Sequence, residues 1–472
     1  MKLSEDQSQA LNQINDFLTS DQTTLALAGA AGTGKTTVVS KLVRDTRSPI
    51  RFTATTNKAA GVAAAMLGGT PCPTVHKVFG LAPVRTYNGA GHVLKEKNMP
   101  KYEPGDTILI DESSMVDAQM LEIISRHADA NRLKILFIGD PYQLPPVSKD
   151  KSDATPPVFE STKTIELTKV HRQAEASPVL SLATEIRHSM DGAGFPKIKS
   201  SPCGAVKVFD YDNRDSRTRM NGILKEMLTS DDYARDPDYM RMLAWTNRQV
   251  NYLNQVARKV LLGKDAKYRF VPGERVMSNK ALFLPKKKQD TDADPWDDDF
   301  IPEDDKKTLV ISPDRWLTVV RADFERRDYG VATVAGTKLV VENDDGCEYS
   351  FFVPSDWKSA KVVLGAFASK AARLSKERTE SLSNSGKNKV SAKEVFDAWQ
   401  KFYDIEDRFG DIRPPFATTV HKSQGSTYKN AVVWMSDVAN AAEADSPRMF
   451  ARLLYVAVTR ASESVIFNEA VK

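Results

Sequence analysis

The sequence predicts an α/β protein with two parallel-stranded domains, the second of which is interrupted by a β-rich and helical insertion. Three observations predict this: apolar runs alternate with helical stretches over residues 24–168, the alternation begins again near residue 170, and it breaks over 276–413. Such alternation is typical of doubly wound domains, which bind ligands at the carboxyl ends of their strands. The chain has 472 residues, 41% of them hydrophobic, so it can form two to four domains.

The first domain is predicted over residues 1–80 and 105–168. Its strands are the buried apolar runs TLALAGA, PIRFTAT, DTILIDE, LKILFIGD and KTIELT, and its clearest helices are KAAGVAAAML and DAQMLEIISRHAD. Residues 81–104 interrupt the pattern and contain Asn88-Gly89, a turn signal of β-hairpins. We therefore predict a small β-hairpin insertion there.

The second domain is predicted over residues 169–275 and 414–472. Its strands are AVKVFDY, MRMLAWT and NAVVWMS, and its helices are PVLSLATEIRHSM, NRQVNYLNQVARKVL and RMFARLLYVAVTRA. The intervening insertion, 276–413, contains the β-type runs RWLTVVRADF, YGVATVAG, TKLVVEN and EYSFFV, which indicate a small barrel or meander, followed by two basic helical stretches.

An acidic segment, residues 289–307, stands apart within this insertion. Its sequence, QDTDADPWDDDFIPEDDKK, holds nine acidic residues and is flanked by lysines. Blocks of like charge usually form solvated loops, and that interpretation is favoured. The alternative is an acidic arm that competes with nucleic acid for a basic groove.

The bulk composition limits the classes of protein. The formal net charge is only +4, so any contact with nucleic acid has to rest on local basic patches. The three cysteines, Cys72, Cys203 and Cys347, form neither a zinc spacing nor a disulfide framework, which favours a reducing compartment. The first residues, MKLSEDQSQ, have acidic side chains where a signal peptide would need an apolar run, and no apolar run approaches membrane-spanning length. We therefore expect a cytoplasmic protein without a membrane anchor.

The most specific short motif is GAAGTGKT, residues 29–36, which fits the phosphate-loop pattern G-x-x-x-x-G-K-T between an apolar strand and a helix. Its backbone N–H groups are expected to point at phosphate oxygens. Lys35 is expected to reach the β and γ phosphates, and Thr36 to offer its hydroxyl to Mg²⁺. The predicted nucleotide-binding residues of this segment are Gly29, Ala30, Ala31, Gly32, Thr33, Gly34, Lys35, Thr36 and Thr37.

Two other strand ends carry polar side chains suited to hydrolysis. In ILIDESSM, Asp111 is expected to hold Mg²⁺ through water, and Glu112 to orient or deprotonate the attacking water. In FIGDPYQLPPV, Gln143 can contact the γ-phosphate and report its presence to another surface. Each segment taken singly could also be an ordinary polar loop after a strand.

Two arginines are candidates for stabilising the negative charge that develops during phosphoryl transfer. Arg172 lies in LTKVHRQ, at the start of the second domain, and Arg460 lies in YVAVTRA, near the end of the chain. A positive charge from a facing domain can stabilise the transferring group. Either residue alone would more often form a surface ion pair.

Taken in order, these segments resemble the motif series of superfamily-1 helicases, with the best match to the 5′→3′ branch that includes Dda-like and RecD-like enzymes. The matching segments, from the Q motif through motifs I, Ia, Ib, II, III, IV, V and VI, are LSEDQ, GAAGTGKT, TATTNKAA, TVHKVFG, DESSM, GDPYQLPPV, LTKVHRQ, ATTVHKSQGST and LLYVAVTRA. They run from residue 3 to residue 461.

The resemblance implies two RecA-like domains with ATP and Mg²⁺ in the cleft between them. Gln7 would lie near the adenine, and Arg172 and Arg460 would reach across from the second domain as arginine fingers. Single-stranded DNA would contact Thr55, Thr74, His76, Lys77, Thr419, His421, Lys422, Ser423 and Gln424. Small polar and basic side chains suit phosphate contacts, which carry no sequence information. Gly425 and Thr427 would help to link the DNA and ATP sites.

The resemblance also implies a function. It indicates an ATP-dependent DNA helicase that moves 5′→3′ on single-stranded DNA and unwinds fork DNA in replication, recombination or repair. The 81–104 hairpin would split the duplex, and 276–413 would be an SH3-like subdomain. A monomer is expected, with single-strand-binding or replication proteins as candidate partners. The alternatives are a superfamily-1 RNA helicase, a DNA-stimulated ATPase that displaces proteins, and the motor subunit of a nuclease.

Overall fold

The structure is a computed structural model that describes residues 3–46, 49–66, 70, 72–85, 92–96, 99–146, 155–169, 177–285, 307–311, 313, 315–383 and 390–470. The chain divides into two compact units. The first comprises Met1–Ala82, Leu94–Leu261 and Phe416–Lys472, and the second comprises Pro83–Val93 and Leu262–Pro415. Arg172, the Asn88-Gly89 turn and residues 289–306 of the acidic segment lie outside the described residues.

The first α/β domain is built on a parallel five-stranded sheet with the order β2-β5-β6-β1-β7. Its elements are α1 (Glu5–Thr19), β1 (Thr24–Gly29), α2 (Lys35–Asp45), β2 (Ile50–Ala54), α3 (Asn57–Met66), α4 (Val75–Val78), β3 (Leu81–Arg85), β4 (His92–Glu96), β5 (Thr107–Asp111), α5 (Ala118–Asn131), β6 (Lys134–Gly139), α6 (Pro157–Ser161) and β7 (Thr164–Leu167). All five predicted strands form, and β3 pairs with β4 within the predicted hairpin insertion.

Alternate residues of the central strands β1, β5 and β6 enter two separate cores, which is why these three strands are apolar along almost their whole length. In β1, Leu25 and Leu27 pack with α1 and α2 on one face of the sheet. Ala26 points to the opposite face, which α4 and α5 cover. With both faces buried, polar side chains are left to the strand ends, where the phosphate loop and Asp111 lie.

The second α/β domain begins with α7 (Pro178–Met190), β8 (Val206–Val208), α8 (Arg214–Leu228), α9 (Asp231–Arg235), β9 (Met240–Ala244) and α10 (Asn247–Leu262). Helix α10 has an apolar stripe at helical spacing, and Val250, Leu253 and Ala257 on that stripe are buried. The chain then leaves this domain and enters the second compact unit at Leu262.

The second unit contains an antiparallel five-stranded sheet with the order β15-β14-β13-β10-β16, and two helices. Its elements are β10 (Arg275–Ser278), β11 (Leu282–Pro285), β12 (Lys307–Ile311), β13 (Trp316–Asp328), β14 (Thr333–Glu342), β15 (Glu348–Pro354), α11 (Trp357–Ser383), α12 (Ala392–Arg408) and β16 (Ile412–Arg413). The runs YGVATVAG and TKLVVEN supply one continuous strand, β14, because Gly336 and Thr337 stay paired with β15.

Gly336 in β14 is a site where alanine should destabilise the second unit. A Cβ atom there would lie 2.4 Å from Phe352 Cζ and 2.7 Å from the Val353 carbonyl oxygen. Phe352 is buried, so we expect Gly336→Ala to lower the free energy of unfolding by about 1–3 kcal/mol in urea titrations. Gly365→Ala in α11 is the matched control, since its Cβ would meet nothing within 4 Å. An equal loss in both variants would contradict the steric explanation.

The chain returns to the second α/β domain through β17 (Ala417–Thr419), β18 (Tyr428–Val433), α13 (Met435–Val438), α14 (Asn440–Ala444), α15 (Pro447–Thr459) and β19 (Ala461–Phe467). These strands complete a parallel sheet with the order β17-β9-β18-β19-β8. The predicted α/β fold with two parallel-stranded domains is therefore confirmed. Among the described residues, no helix combines the length and apolar character needed to cross a membrane.

Candidate nucleotide and nucleic-acid site

The phosphate loop lies between β1, which ends at Gly29, and α2, which begins at Lys35. Gly32 and Gly34 have φ angles of 82° and 84°, in the left-handed region that glycine adopts without a Cβ penalty. Gly29 is required for a different reason, because a Cβ atom there would lie 2.5 Å from Thr33 Oγ1. The loop conformation thus depends directly on its glycine positions.

Polar contacts hold this loop in place from two sides. Thr33 Oγ1 donates to the Ala30 carbonyl at 2.9 Å, and Gln7 Nε2 donates to the Thr33 carbonyl at 3.2 Å. Lys35 Nζ donates to the carbonyls of Gly29 and Ala30 at 2.6 and 3.1 Å. The structure therefore brings Gln7 and Lys35 together at the loop. Thr36 and Thr37 lie on the first turn of α2, where the Thr36 side chain is exposed.

Asp111 is the last residue of β5 and Glu112 follows it, at the same edge of the sheet. Burial raises the pKa of Asp111, against the lowering effects of the Glu112 N–H and of Lys35. Burial also raises the pKa of Glu112, although the positive charge of Arg460 lowers it. The two carboxylates, Lys35 and Arg460 therefore share one electrostatic environment. Glu112 has a φ of 51°, and such a strained non-glycine residue is typical of a functional site.

The loop after β6 carries Gln143 in a tight turn. The Gln143 N–H donates to the Asp140 carbonyl at 3.2 Å, and Asp140 Oδ1 accepts from the Tyr142 N–H at 3.0 Å. The Gln143 side chain is 7% exposed. Its Oε1 atom is buried and accepts no hydrogen bond within the described residues. A buried amide oxygen without a partner is costly, so this atom is a candidate acceptor for a ligand or water.

Three side chains of the second domain hold this loop of the first domain. Arg452 donates to the Gln143 carbonyl at 2.5 Å, and Gln424 Nε2 donates to the Leu144 carbonyl at 3.1 Å. The Tyr455 hydroxyl donates to Asp140 Oδ2 at 2.5 Å. The two α/β domains of the first unit are therefore joined through the loop Asp140–Leu144.

Arg460 lies at the end of α15 and is 7% exposed. Its guanidinium donates to the Ser426 carbonyl at 3.0 Å, which ties the end of α15 to the loop before β18. The attraction between Arg460 and Glu112 crosses from the second domain to the first. Arg460 thus approaches the acidic pair, whereas the other arginine candidate, Arg172, is outside the described residues.

The candidate DNA contacts of the first domain lie after β2 and at α4. Thr55 Oγ1 donates to the Glu112 carbonyl at 3.3 Å, which links this segment to the acidic pair. Thr74 precedes α4, and Lys77 in that helix is exposed. Burial lowers the pKa of His76, although Asp117 opposes this shift, so the ring favours the neutral form.

The candidate DNA contacts of the second domain are of two kinds. Lys422 is exposed and His421 is half-buried, with its pKa lowered by burial. Thr419, Ser423 and Gln424 are buried, and their side chains bond within the protein: Thr419 accepts from the Lys422 N–H, and Ser423 donates to the Val420 carbonyl. Of these five candidate residues, Lys422 is therefore the exposed one.

Gly425 brings this loop against the first domain. Its φ is 69°, and a Cβ atom would lie 3.2 Å from Ala59 Cβ and 3.3 Å from Thr56 Oγ1. Nearby, Lys58 Nζ forms an ion pair of 3.0 Å with Asp238 of the second domain. These contacts bring the candidate DNA-binding segments of the two domains together.

Comparisons with known proteins agree with this architecture. A model of the AAA domain matches residues 2–202, and a model of the UvrD-like helicase C-terminal domain matches residues 415–467. The ATP-dependent DNA helicase Dda of Enterobacteria phage T4 is 26% identical over 485 residues, covering 98% of this chain and 99% of Dda. The ATP-dependent RecD2 DNA helicase of Deinococcus radiodurans is 33% identical over 39% of this chain and 24% of its own length.

This chain is homologous to the ATP-dependent DNA helicases Dda and RecD2. Among solved structures, a Pif1 helicase from Bacteroides in complex with ADP-AlF3 and single-stranded DNA has a TM-score of 0.47 and 18% identity, covering 100% of this chain and 94% of that chain. The predicted resemblance to ATP-dependent DNA helicases and the ATP-hydrolysing class of the enzyme are confirmed by the relatives and the family models.

Some residues of this helicase site were assigned no role from its sequence patterns. Asp140, Arg452 and Tyr455 join the two domains. The sequence predicted functional roles only for their neighbours Gln143 and Arg460. One signal was available: Arg452 and Tyr455 are polar residues three positions apart in the otherwise apolar run MFARLLYVAV. Residues at that spacing share one face of a helix. Their partners are more than 300 residues away in sequence, so only the fold identifies them.

Proposed function

We propose that this helicase couples ATP hydrolysis to 5′→3′ movement on single-stranded DNA and thereby unwinds duplex DNA at forks. One observation carries the proposal. Gln424, in the loop with exposed Lys422, donates to the carbonyl of Leu144, one residue after Gln143. A nucleotide that reorients Gln143 would therefore act on the loop that holds DNA. Dda, which aligns over nearly the whole chain, is named an ATP-dependent DNA helicase.

The nucleotide would bind at the phosphate loop, with Lys35 toward its β and γ phosphates. Thr36 and Asp111 are the candidate Mg²⁺ ligands, since a hydroxyl and a carboxylate suit a hard cation that keeps several waters. Their environment fits the ion, because burial makes an unpaired Asp111 carboxylate unfavourable and a cation would offset that cost. Bound Mg²⁺ would neutralise phosphate charge.

Glu112 would position and deprotonate the water that attacks the γ-phosphorus. Its raised pKa brings the carboxylate closer to the range that suits a general base. Gln143 Oε1, which has no hydrogen-bond partner among the described residues, would accept a hydrogen bond from the same water. Arg460, and with it Arg172, would stabilise charge on the transferring phosphoryl group. Gln7 would lie near the adenine.

The DNA would lie along the candidate contacts of both domains, from Thr55, Thr74, His76 and Lys77 to His421 and Lys422. Thr419, Ser423 and Gln424 would support this surface from within, because their side chains bond inside the protein. Neutral histidines can donate one hydrogen bond to a phosphate without a charge. Contacts confined to phosphates give affinity that falls with salt and does not depend on sequence.

The roles proposed for the domains and for the two insertions are those that the resemblance to superfamily-1 helicases implies. Residues 1–80 with 105–168, and 169–275 with 414–472, would form the two RecA-like domains. The 81–104 hairpin would act as the pin that separates strands, and 276–413 would act as an SH3-like subdomain. We further propose a monomer that acts in the cytoplasm of a bacterial or phage-infected cell, with single-strand-binding or replication proteins as partners; the phage origin of Dda supports this setting.

Addition of single-stranded DNA should raise the rate of ATP hydrolysis at least about tenfold, because the Gln424 contact joins the two sites. The test measures phosphate release with no polymer, single-stranded DNA or single-stranded RNA, at two salt concentrations. Forks with a single 5′ or 3′ tail then give the direction. Stimulation by RNA alone, or protein displacement without strand separation, would contradict the proposal.

A further inference from the structure

The strongest feature to which the motif series assigned no role is the hydroxyl group of Tyr455 on α15. This oxygen accepts the N–H of Ala31 in the phosphate loop at 3.1 Å, and it donates to Asp140 Oδ2 at 2.5 Å. Tyr455 and Asp140 are each 1% exposed. One hydroxyl of the second domain therefore joins two separate loops of the first domain, both of which belong to the nucleotide site.

Asp140 connects the Tyr455 hydroxyl to the backbone of Gln143 through hydrogen bonds. Its Oδ1 atom accepts the N–H of Tyr142, its carbonyl accepts the N–H of Gln143, and its other carboxylate oxygen is held by Tyr455. A hydrogen bond to a buried carboxylate is stronger than one between neutral groups, and it resists competition from water. The orientation of the whole turn therefore depends on the Tyr455 hydroxyl.

Arg452 contacts the same turn from one helical turn earlier in α15. It donates to the carbonyls of Pro141 and Gln143 at 3.3 and 2.5 Å. The backbone of Gln143 is thus fixed by Arg452 on one side and by the Asp140 turn on the other. Between these contacts, Gln143 Oε1 is left without a partner in the described part of the chain. This acceptor therefore lies on the turn that the Tyr455 hydroxyl connects to the phosphate loop.

We propose that Tyr455 is a positioning residue for ATP hydrolysis, which holds Gln143 and the phosphate loop in register only while the two α/β domains are closed. The proposal rests on the proposed function and adds to it the contact through which closure is sensed. Tyr455 acts through Asp140 and Ala31. Separation of the domains would break both of its hydrogen bonds at once and would release the Gln143 turn.

Tyr455→Phe removes only the oxygen and should therefore lower kcat with little change in binding. We expect kcat for DNA-stimulated ATP hydrolysis to fall about tenfold, the value of one net hydrogen bond of about 1.4 kcal/mol. The KM for ATP should change less than about twofold, since the nucleotide contacts remain. Asp140→Asn should show the same pattern, and the double variant should be no slower than Tyr455→Phe, because Asp140→Asn alters an interaction that Tyr455→Phe has already removed.

A matched control is Tyr403→Phe, which removes a buried hydroxyl from α12 in the second unit. It should leave kcat unchanged, and thermal unfolding should confirm that all variants are folded. An unchanged kcat in Tyr455→Phe, or additive losses in the double variant, would overturn the proposal. If DNA does not stimulate the wild-type protein, the proposed helicase function fails. The coupling between Tyr455 and Asp140 in the rate without DNA then still decides the positioning role.

Discussion

Replacement of Lys35 by alanine should reduce kcat for ATP hydrolysis by about 10²- to 10³-fold, which is the usual cost of removing one preorganised charge stabiliser. In the structure its ammonium group lies on the carbonyls of Gly29 and Ala30, at the end of β1. A short movement from those carbonyls would bring it to bound phosphates. DNA unwinding should disappear with hydrolysis, because no other energy source is available to the enzyme.

A control for Lys35→Ala exists on the same helix. The Lys41 side chain is 43% exposed and pairs with Asp45 one turn later, at 2.9 Å, so Lys41→Ala removes a lysine without touching the loop. Its rate of ATP hydrolysis should stay within about twofold of wild type, since exposed ion pairs contribute little. The measurement is steady-state phosphate release with saturating single-stranded DNA. Equal losses in the two variants would show that Lys35 has no special role.

Glu112→Gln should abolish most hydrolysis while leaving nucleotide binding intact. Loss of a general base costs about 10²- to 10⁴-fold in rate, and the amide retains the shape of the side chain. Binding of ATP, measured by titration calorimetry, should change little, because the phosphate loop is untouched. Glu122→Gln on the exposed side of α5 is the matched control and should keep the wild-type rate. Hydrolysis by Glu112→Gln at more than a tenth of the wild-type rate would exclude Glu112 as the base.

The same substitution should also stabilise the nucleotide-free protein in a pH-dependent way. Burial raises the pKa of Glu112 in the folded state, so folding disfavours its ionised form. Below the unfolded pKa both states are protonated, and the charge costs nothing; as pH rises through the folded pKa, the wild type loses stability. The thermal midpoint of Glu112→Gln should therefore exceed that of wild type at pH 8, and the two should converge near pH 4. A lower midpoint at pH 8 would show that the charged form is favoured.

The sequence predicted those parts of the site that are each formed by one short, continuous segment of the chain. The glycines of the phosphate loop, the apolar strand before it and the helix after it are all encoded within about a dozen consecutive residues. Asp111 and Glu112 follow a buried strand in the same way. The order of these segments along the chain also indicated the family and the two-domain fold.

The burial of particular side chains was not predictable in this way. Thr419, Ser423 and Gln424 belong to one polar segment with His421 and Lys422, and their residue types suit phosphate contacts equally well. The structure separates them, because the loop turns the first three inward, where they bond to the protein. Residue type gives the chemistry of a side chain, but the path of the backbone decides whether it faces solvent.

The sequence by itself determined the α/β architecture, the phosphate loop, the acidic pair and the place of Gln143 after its strand, because each depends on local spacing and on the period of apolar residues. Only the tertiary structure decided that Tyr455 meets Ala31 and Asp140, and that Arg452 holds the backbone of Gln143. These partners are 309 to 424 residues apart in the chain. Packing of two separately formed sheets brings them together, and no local pattern encodes the register of that packing.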